Sequence, residues 1–335
     1  MYIAVFYTGA LRTVDKTMKH FKRNIVLHNN VHIYACLEND SSLTNDEWEA
    51  RFKHEFGDNM KRVIWKSNKH DSDWNSVKKV NMEHVHFPIG WANKYLNDSG
   101  SMFEHYQMQT AYKVMVIHEN EYNFKYDYII RCRTDTIFSR PIDFHWLNYS
   151  DEQLKTIITT VSAKLREHNI MKDITPYLMY YMINEDILDN VHNIQADIRQ
   201  HESYKEFLGN CETIFDGIDM DMDAKVRELN HYIKYGKYIL GFRCNLLYIC
   251  RREYFHIIPL LGTAYGLLKH PQIGDDYWWN SESQFEAICY HAGLSIFNYC
   301  SDYEGASVYS FQRDKYFDEN NEIKEKSLIF CLVRN

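Results

Sequence analysis

Short apolar runs alternate with helix-patterned segments over the first 140 residues, and few folds accept that order. Tyr2 to Tyr7 is one such run, ending at Thr8-Gly9, and helix-like sequence follows from Val14 to about Leu27. Val31 to Leu37 (VHIYACL) reads as a second strand, closed by the polar turn Glu38-Asn39-Asp40. Asp46 to Phe56 reads as a helix and Arg62 to Trp65 as a short third strand. Phe103, Tyr106, Thr110, Ala111, Val114 and Ile117 recur at helical spacing, with Ser99 and Ser101 as candidate caps upstream. The segment YDYIIRCRTDTIF (126–138) then begins as an apolar strand and breaks into charged residues at its C-terminal end. Strands that are apolar on both sides are buried on both faces. The pattern therefore predicts an α/β fold with a mixed, mainly parallel sheet flanked by helices.

The remainder is less regular. Residues 66–100 read as a polar, irregular loop, a length that is usually functional or mobile. Residues 151–235 read as a charged, mainly helical insertion or lid. Ile239 to Arg251 (ILGFRCNLLYICR) reads as one long strand, with Arg243 and Asn245 on a face mixed enough to line a cleft. Glu282 to His291 is a helix candidate, and the closing SLIFCLVRN is a last strand or a packed tail. The expected division is a first half at 1–150, the helical insertion at 151–235, and a second half with its tail at 236–335.

Composition narrows the function classes. The formal net charge is −8 with no run of basic residues, so nucleic acid is not the expected partner. No stretch approaches a membrane span, and the N-terminus lacks the basic region of a signal peptide. The 8 cysteines form no CxxC pair and no zinc-site spacing, which fits buried thiols in a reducing compartment, the cytoplasm.

Four places carry chemistry. Asp135, just past the strand in RCRTDTIF (131–138), sits where open α/β sheets bind ligands, and a carboxylate there can hold Mg²⁺ or Mn²⁺. A turn Asp capping the next segment would have the same sequence. At the first turn, Thr8-Gly9-Ala10-Leu11-Arg12-Thr13, Gly9 allows close backbone approach and Arg12 offers a charged contact to phosphate. An ordinary strand-to-helix turn with a surface Arg is the alternative. Glu38 and Asp40, at the end of the second strand, suit a ribose hydroxyl or a base edge, and equally a solvated turn. The last place is WWNSESQFEAI (278–288), preceded by Asp275 and Asp276. Glu282, Asp276 or Asp275 can serve there as a general base, or simply complement a helix dipole. Trp278 and Trp279 suit a sugar-stacking platform or a corner of the core.

Together, YTGALRT, FKYDYIIRCRTDTIF and SESQFEAICYHAGLSIF resemble a family of glycosyltransferases found in large DNA viruses and bacterial surface-polysaccharide loci. Members of that family often read S-G-Q-L-R-T at the first turn and Y-D-x-x-I-R-x-R-x-D at the metal strand. Here Gly9, Leu11, Arg12 and Thr13 match the first, with Ala10 in place of Gln. Tyr126-Asp127, Ile130-Arg131, Arg133 and Asp135 match the second. The resemblance implies a GT-A-like fold, a nucleotide-sugar donor, a glycan or glycoprotein acceptor, and Mn²⁺ or Mg²⁺ on Asp135. With the residue readings above, the candidate donor contacts are Thr8, Gly9, Arg12, Glu38, Asp40, Arg131, Arg133 and Thr134, and the candidate acceptor contacts are Arg243, Asn245, Trp278 and Trp279. The first acidic position of a D-x-D motif falls on Arg133, so a second metal-side carboxylate is missing from the motif. Inversion and retention both stay open, as does a non-catalytic nucleotide- or sugar-binding protein with the same fold. A nucleotidyltransferase would be expected to carry a GxxxxGK loop, and none follows the first strand.

Overall fold

A computed structural model of the chain describes residues 1–84, 102–138, 140–170, 174–183, 185–192, 221–235, 238–242, 247–264, 281–298, 318–320, 322 and 330–332. Its sheet is built from β1 (Ile3–Ala10), β2 (Val31–Glu38), β3 (Met60–Trp65), β4 (Tyr128–Arg133), β6 (Tyr238–Phe242), β7 (Leu247–Arg251) and β8 (Ser295–Asn298). The order across the sheet is β3-β2-β1-β4-β7-β6-β8. β1 runs parallel to β2 and β4, β2 to β3, and β6 to β8, while β7 is antiparallel to β4 and β6. A separate two-stranded pair joins β5 (Thr136–Phe138) to β9 (Phe330–Leu332). The α/β class and the mainly parallel sheet are as the apolar pattern predicts.

Side chains alternate across a strand, so one apolar run can feed two cores. From β1, Ile3, Val5 and Tyr7 enter one core, and Ala4 and Phe6 enter the other. The first core is covered by α1 (Val14–Phe21), α2 (Asn45–Phe56), α5 (Asp151–Glu167), α6 (Thr175–Ile183) and α7 (Met222–Asn230). The second is covered by α4 (Phe103–Glu121), α8 (Arg252–Phe255), α9 (Ile257–Gly262) and α10 (Ser281–His291). Helix starts follow local chemistry. Thr44 with Glu47, and Ser150 with Gln153, form reciprocal capping boxes for α2 and α5.

Several elements differ from the sequence expectation. The helix after Thr13 is regular only to Phe21 and continues as a π-turn over Lys22–Val26. The stretch expected to be irregular holds α3 (Ser72–Glu83), whose start is set by Asp71 accepting from the Trp74 N–H at 2.9 Å. The run read as one strand over 239–251 is an antiparallel pair, β6 and β7, with Gly241 opposite Tyr248 and Phe242 opposite Leu247. Thirteen residues exceed the usual strand length, and the apolar residues on either side of 243–246 read as one run. Arg243 and Asn245 fall at 243–246, outside the described residues.

The helices of 151–235 share the first core with β1. Leu154, Ile158, Val161 and Leu165 recur at helical spacing on α5 and all are buried. Cys36, Cys132, Cys250 and Cys289 are buried free thiols. Among the described residues no helix is long and apolar enough to cross a membrane.

Candidate functional site

The chain lays β2 and β3 on one side of β1, then returns to place β4 on the other. The strand order therefore reverses between β1 and β4, and in open α/β sheets ligands bind outside the carboxyl ends of the strands at such a reversal. Thr8 is opposite Arg133 in the register of these two strands. The first-turn residues and the RCRTD segment, more than a hundred positions apart in sequence, are thus neighbours.

Gly9 fits this junction because of its backbone. Its φ is +139°, and an added Cβ would lie 2.3 Å from Thr134 Oγ1. Thr134 is held there by its N–H donating to the Thr8 carbonyl at 3.0 Å and its hydroxyl donating to the Ala10 carbonyl at 2.8 Å. The Gly9 carbonyl accepts from Gln107 Nε2 at 3.2 Å.

The charged groups form one network. Arg133 donates from Nε to Asp135 Oδ1 and from Nη2 to Oδ2, each at 2.8 Å, a two-pronged pair. Behind it, Arg131 Nη2 donates to Glu104 Oε2 at 2.8 Å and its Nε to Thr8 Oγ1 at 3.2 Å. Arg133 Nη1 also lies 3.7 Å from Glu104 Oε2. Burial alone would push the Asp135 carboxyl up. Arg133, with smaller contributions from Arg12 and Arg131, outweighs it and holds the group below the usual carboxylate range. Glu104 behaves the same way, with Arg131 and Arg133 overcoming the effect of burial. Among the described residues, three guanidiniums (Arg12, Arg131 and Arg133) and two carboxylates (Glu104 and Asp135) make up this network. Arg12 is exposed at its rim.

The other predicted residues fare differently. Glu38, half-buried at the end of β2, accepts from the Asn68 N–H at 2.7 Å and so anchors the loop after β3. Asp40 is exposed. Asp275, Asp276, Trp278 and Trp279 lie outside the described residues, and of Glu282 only its backbone place near the start of α10 is described.

A metal on Asp135 can be tested against the residues present. Both Asp135 oxygens are engaged by Arg133, and the charged groups acting on it among the described residues are arginines. Among the described residues no group of three His, Cys, Asp or Glu side chains could hold a metal ion. The described residues around Asp135 do not fit a divalent cation.

Glu104 and His105 escape a reading of sequence alone. Both occupy the first turn of α4, a helix whose spacing announces only a core face. The usable signal is indirect, since two arginines at the end of a buried strand need counter-charges from elsewhere. His105 is fully buried against α9, where a Cβ on Gly262 would come within 2.4 Å of its ring. Neither ring nitrogen has a hydrogen-bond partner among the described residues.

Burial pushes the His105 pKa down to about 4 from 6.5, with Arg131 adding and Glu104 opposing. The folded state thus binds fewer protons than the unfolded chain between those values. The His105 contribution is full above pH 6.5, declines as pH falls, and is spent below about 4. His105→Leu is expected to flatten stability against pH between 5 and 6 by about 1.4 kcal/mol per pH unit, read by urea unfolding. An unchanged slope would show that His105 is not held neutral.

No family model matches the sequence, and no curated protein does. Among solved structures the chain is similar to core-mannan synthase A from Aspergillus fumigatus, crystallised as an Mn/GDP form. The identity is 12%, the TM-score 0.35, and the likeness covers 89% of this chain and 73% of that one. A TM-score this low leaves the site to be read from its own residues.

Proposed function

We propose that the protein is a GT-A-like glycosyltransferase that moves a sugar from a nucleoside-diphosphate donor to a hydroxyl of a glycan or glycoprotein. One observation carries this reading. Gly9, Arg12, Arg133 and Asp135 converge where the strand order reverses between β1 and β4. These are the residues through which the sequence resembles the glycosyltransferase family. Guanidiniums at such a reversal suit a diphosphate, both in the bound donor and as a leaving group whose negative charge grows as the sugar departs. The acceptor hydroxyl must lose a proton, and Glu282 at the start of α10 is the proposed base, with Asp276 and Asp275 behind it.

The test is thermal-shift screening against UDP-, GDP- and dTDP-sugars, followed by a donor-hydrolysis assay. A ligand that binds the native state alone raises the melting temperature. A rise with one donor and slow release of its sugar are expected. Binding without turnover would instead mark a non-catalytic sugar-nucleotide binder. Glu282→Gln is expected to keep donor binding and to slow transfer tenfold or more, roughly 1.4 kcal/mol of barrier. Full transfer activity in that variant would remove Glu282 from the mechanism.

A further inference from the structure

We infer that the donor diphosphate is held by Arg133 and Arg12 without a divalent cation, and that Asp135 is a positioning residue for Arg133. The inference rests on the nucleotide-donor reading above. Its first support is geometric. Asp135 gives both oxygens to one guanidinium at 2.8 Å each, so it orients the Arg133 fork and offers a cation no oxygen that is not already paired. A metal would have to displace that fork and leave Arg133 beside a dication.

The second support is electrostatic. Asp135 is 4% exposed and Glu104 is also buried, and each carries an arginine partner. Each carboxylate is held in its charged form by the arginines beside it, so its charge is already opposed and offers a dication little. An arginine pair supplies what a metal supplies to a diphosphate, fixed positive charge and directional contacts, with donors matched to phosphate oxygens.

The third support is the bracing. Arg131 is 1% exposed and turned toward Thr8 and Glu104, so it backs the site rather than facing a ligand. Glu104 lies 3.7 Å from Arg133 as well. Arg133 can thus exchange one Asp135 contact for phosphate while Glu104 still opposes its charge. Asp135 and the diphosphate compete for the same guanidinium.

Calorimetric titration of the full chain with UDP and with GDP, in EDTA and in Mn²⁺, decides the matter. For the nucleotide that binds, affinities in the two media are expected to agree within about threefold, a difference under 1 kcal/mol. Arg133→Ala is expected to weaken binding tenfold or more in both media, and Arg133→Lys to recover part of the loss because charge returns without the fork. Asp135→Asn removes the competing charge at nearly constant shape. With one acceptor left to orient the Arg133 fork, it is expected to lose less than tenfold in affinity, and equally in EDTA and in Mn²⁺. Thermal unfolding of each variant confirms that it is folded. Binding that appears only with Mn²⁺, or that Asp135→Asn abolishes in a folded protein, overturns the inference and leaves the donor reading standing. Binding of neither nucleotide in either medium overturns both.

Discussion

Replacing Glu104 with leucine is expected to cost about 3–5 kcal/mol of stability, the usual penalty for leaving one member of a buried ion pair alone. The partner left behind is Arg131, 1% exposed, whose Nη2 donates to Glu104 at 2.8 Å. A guanidinium does not lose its proton in a protein, so Arg131 cannot escape by neutralising. Such a loss is a large fraction of a domain's total stability, on the order of 5–15 kcal/mol. Urea unfolding followed by far-UV circular dichroism measures it.

The control is the double variant Glu104→Leu with Arg131→Leu. Removing both charges removes the unpaired ion, and most of the stability is expected to return. The cost should also be flat with pH across the neutral range. Glu104 is held below the usual carboxylate pKa, chiefly by Arg131 against the effect of burial. Its contribution is therefore present above the ordinary carboxylate value and fades only as pH falls through the lower folded one. This separates it from His105, whose effect fades between pH 6.5 and about 4. A loss under about 1 kcal/mol, the size of an exposed pair, would mean that Arg131 finds other company and that the pair is not structural.

What could be read in the sequence follows from which interactions are local. The apolar runs Tyr2–Tyr7 and Val31–Leu37 announce buried parallel strands because both of their faces are apolar, and β1 and β2 lie where they were read. The Thr8–Thr13 turn and the RCRTD segment are each visible as a strand ending in polar residues. Their meeting is set by the β1–β4 register, and no local pattern announces it. Glu104 is hidden because its partner lies 27 residues away on another element, and a lone acid in a first helical turn already has a dipole explanation. The antiparallel β6–β7 pair is hidden because the apolar residues of the two strands follow one another closely enough to read as a single run. Arg133 shows most clearly what sequence withholds. As a letter in RCRTD it stands where an acid is expected, and only geometry reveals that it takes both oxygens of Asp135.

Gly9→Ala is expected to damage both the fold and the site, and the two causes can be separated. Alanine at φ +139° carries backbone strain of about 1–3 kcal/mol. Its Cβ would also lie 2.3 Å from Thr134 Oγ1, which no real packing tolerates. Thr134 cannot swing aside cheaply, because it is buried and donates to the Thr8 and Ala10 carbonyls at 3.0 and 2.8 Å. The β4 loop must therefore retreat, carrying Arg133 and Asp135 with it. Gly57 supplies a control for the strain, since its φ is +52° and nothing lies within 4 Å of an added Cβ. Gly57→Ala, at φ +52° and ψ −133°, should cost about 1–3 kcal/mol, the strain of a backbone conformation that non-glycine residues rarely hold. Thr134→Ala supplies a control for the clash. It deletes Oγ1 and leaves the Thr134 Cβ 3.4 Å from the new methyl, an ordinary contact. In that background Gly9→Ala should fall back toward the cost of strain alone. The coupling between the two changes should be about 1–3 kcal/mol, measured by a double-mutant cycle in urea unfolding. Strictly additive costs would show that Gly9 is required for its φ and not for the close passage of the β1 turn beneath Thr134.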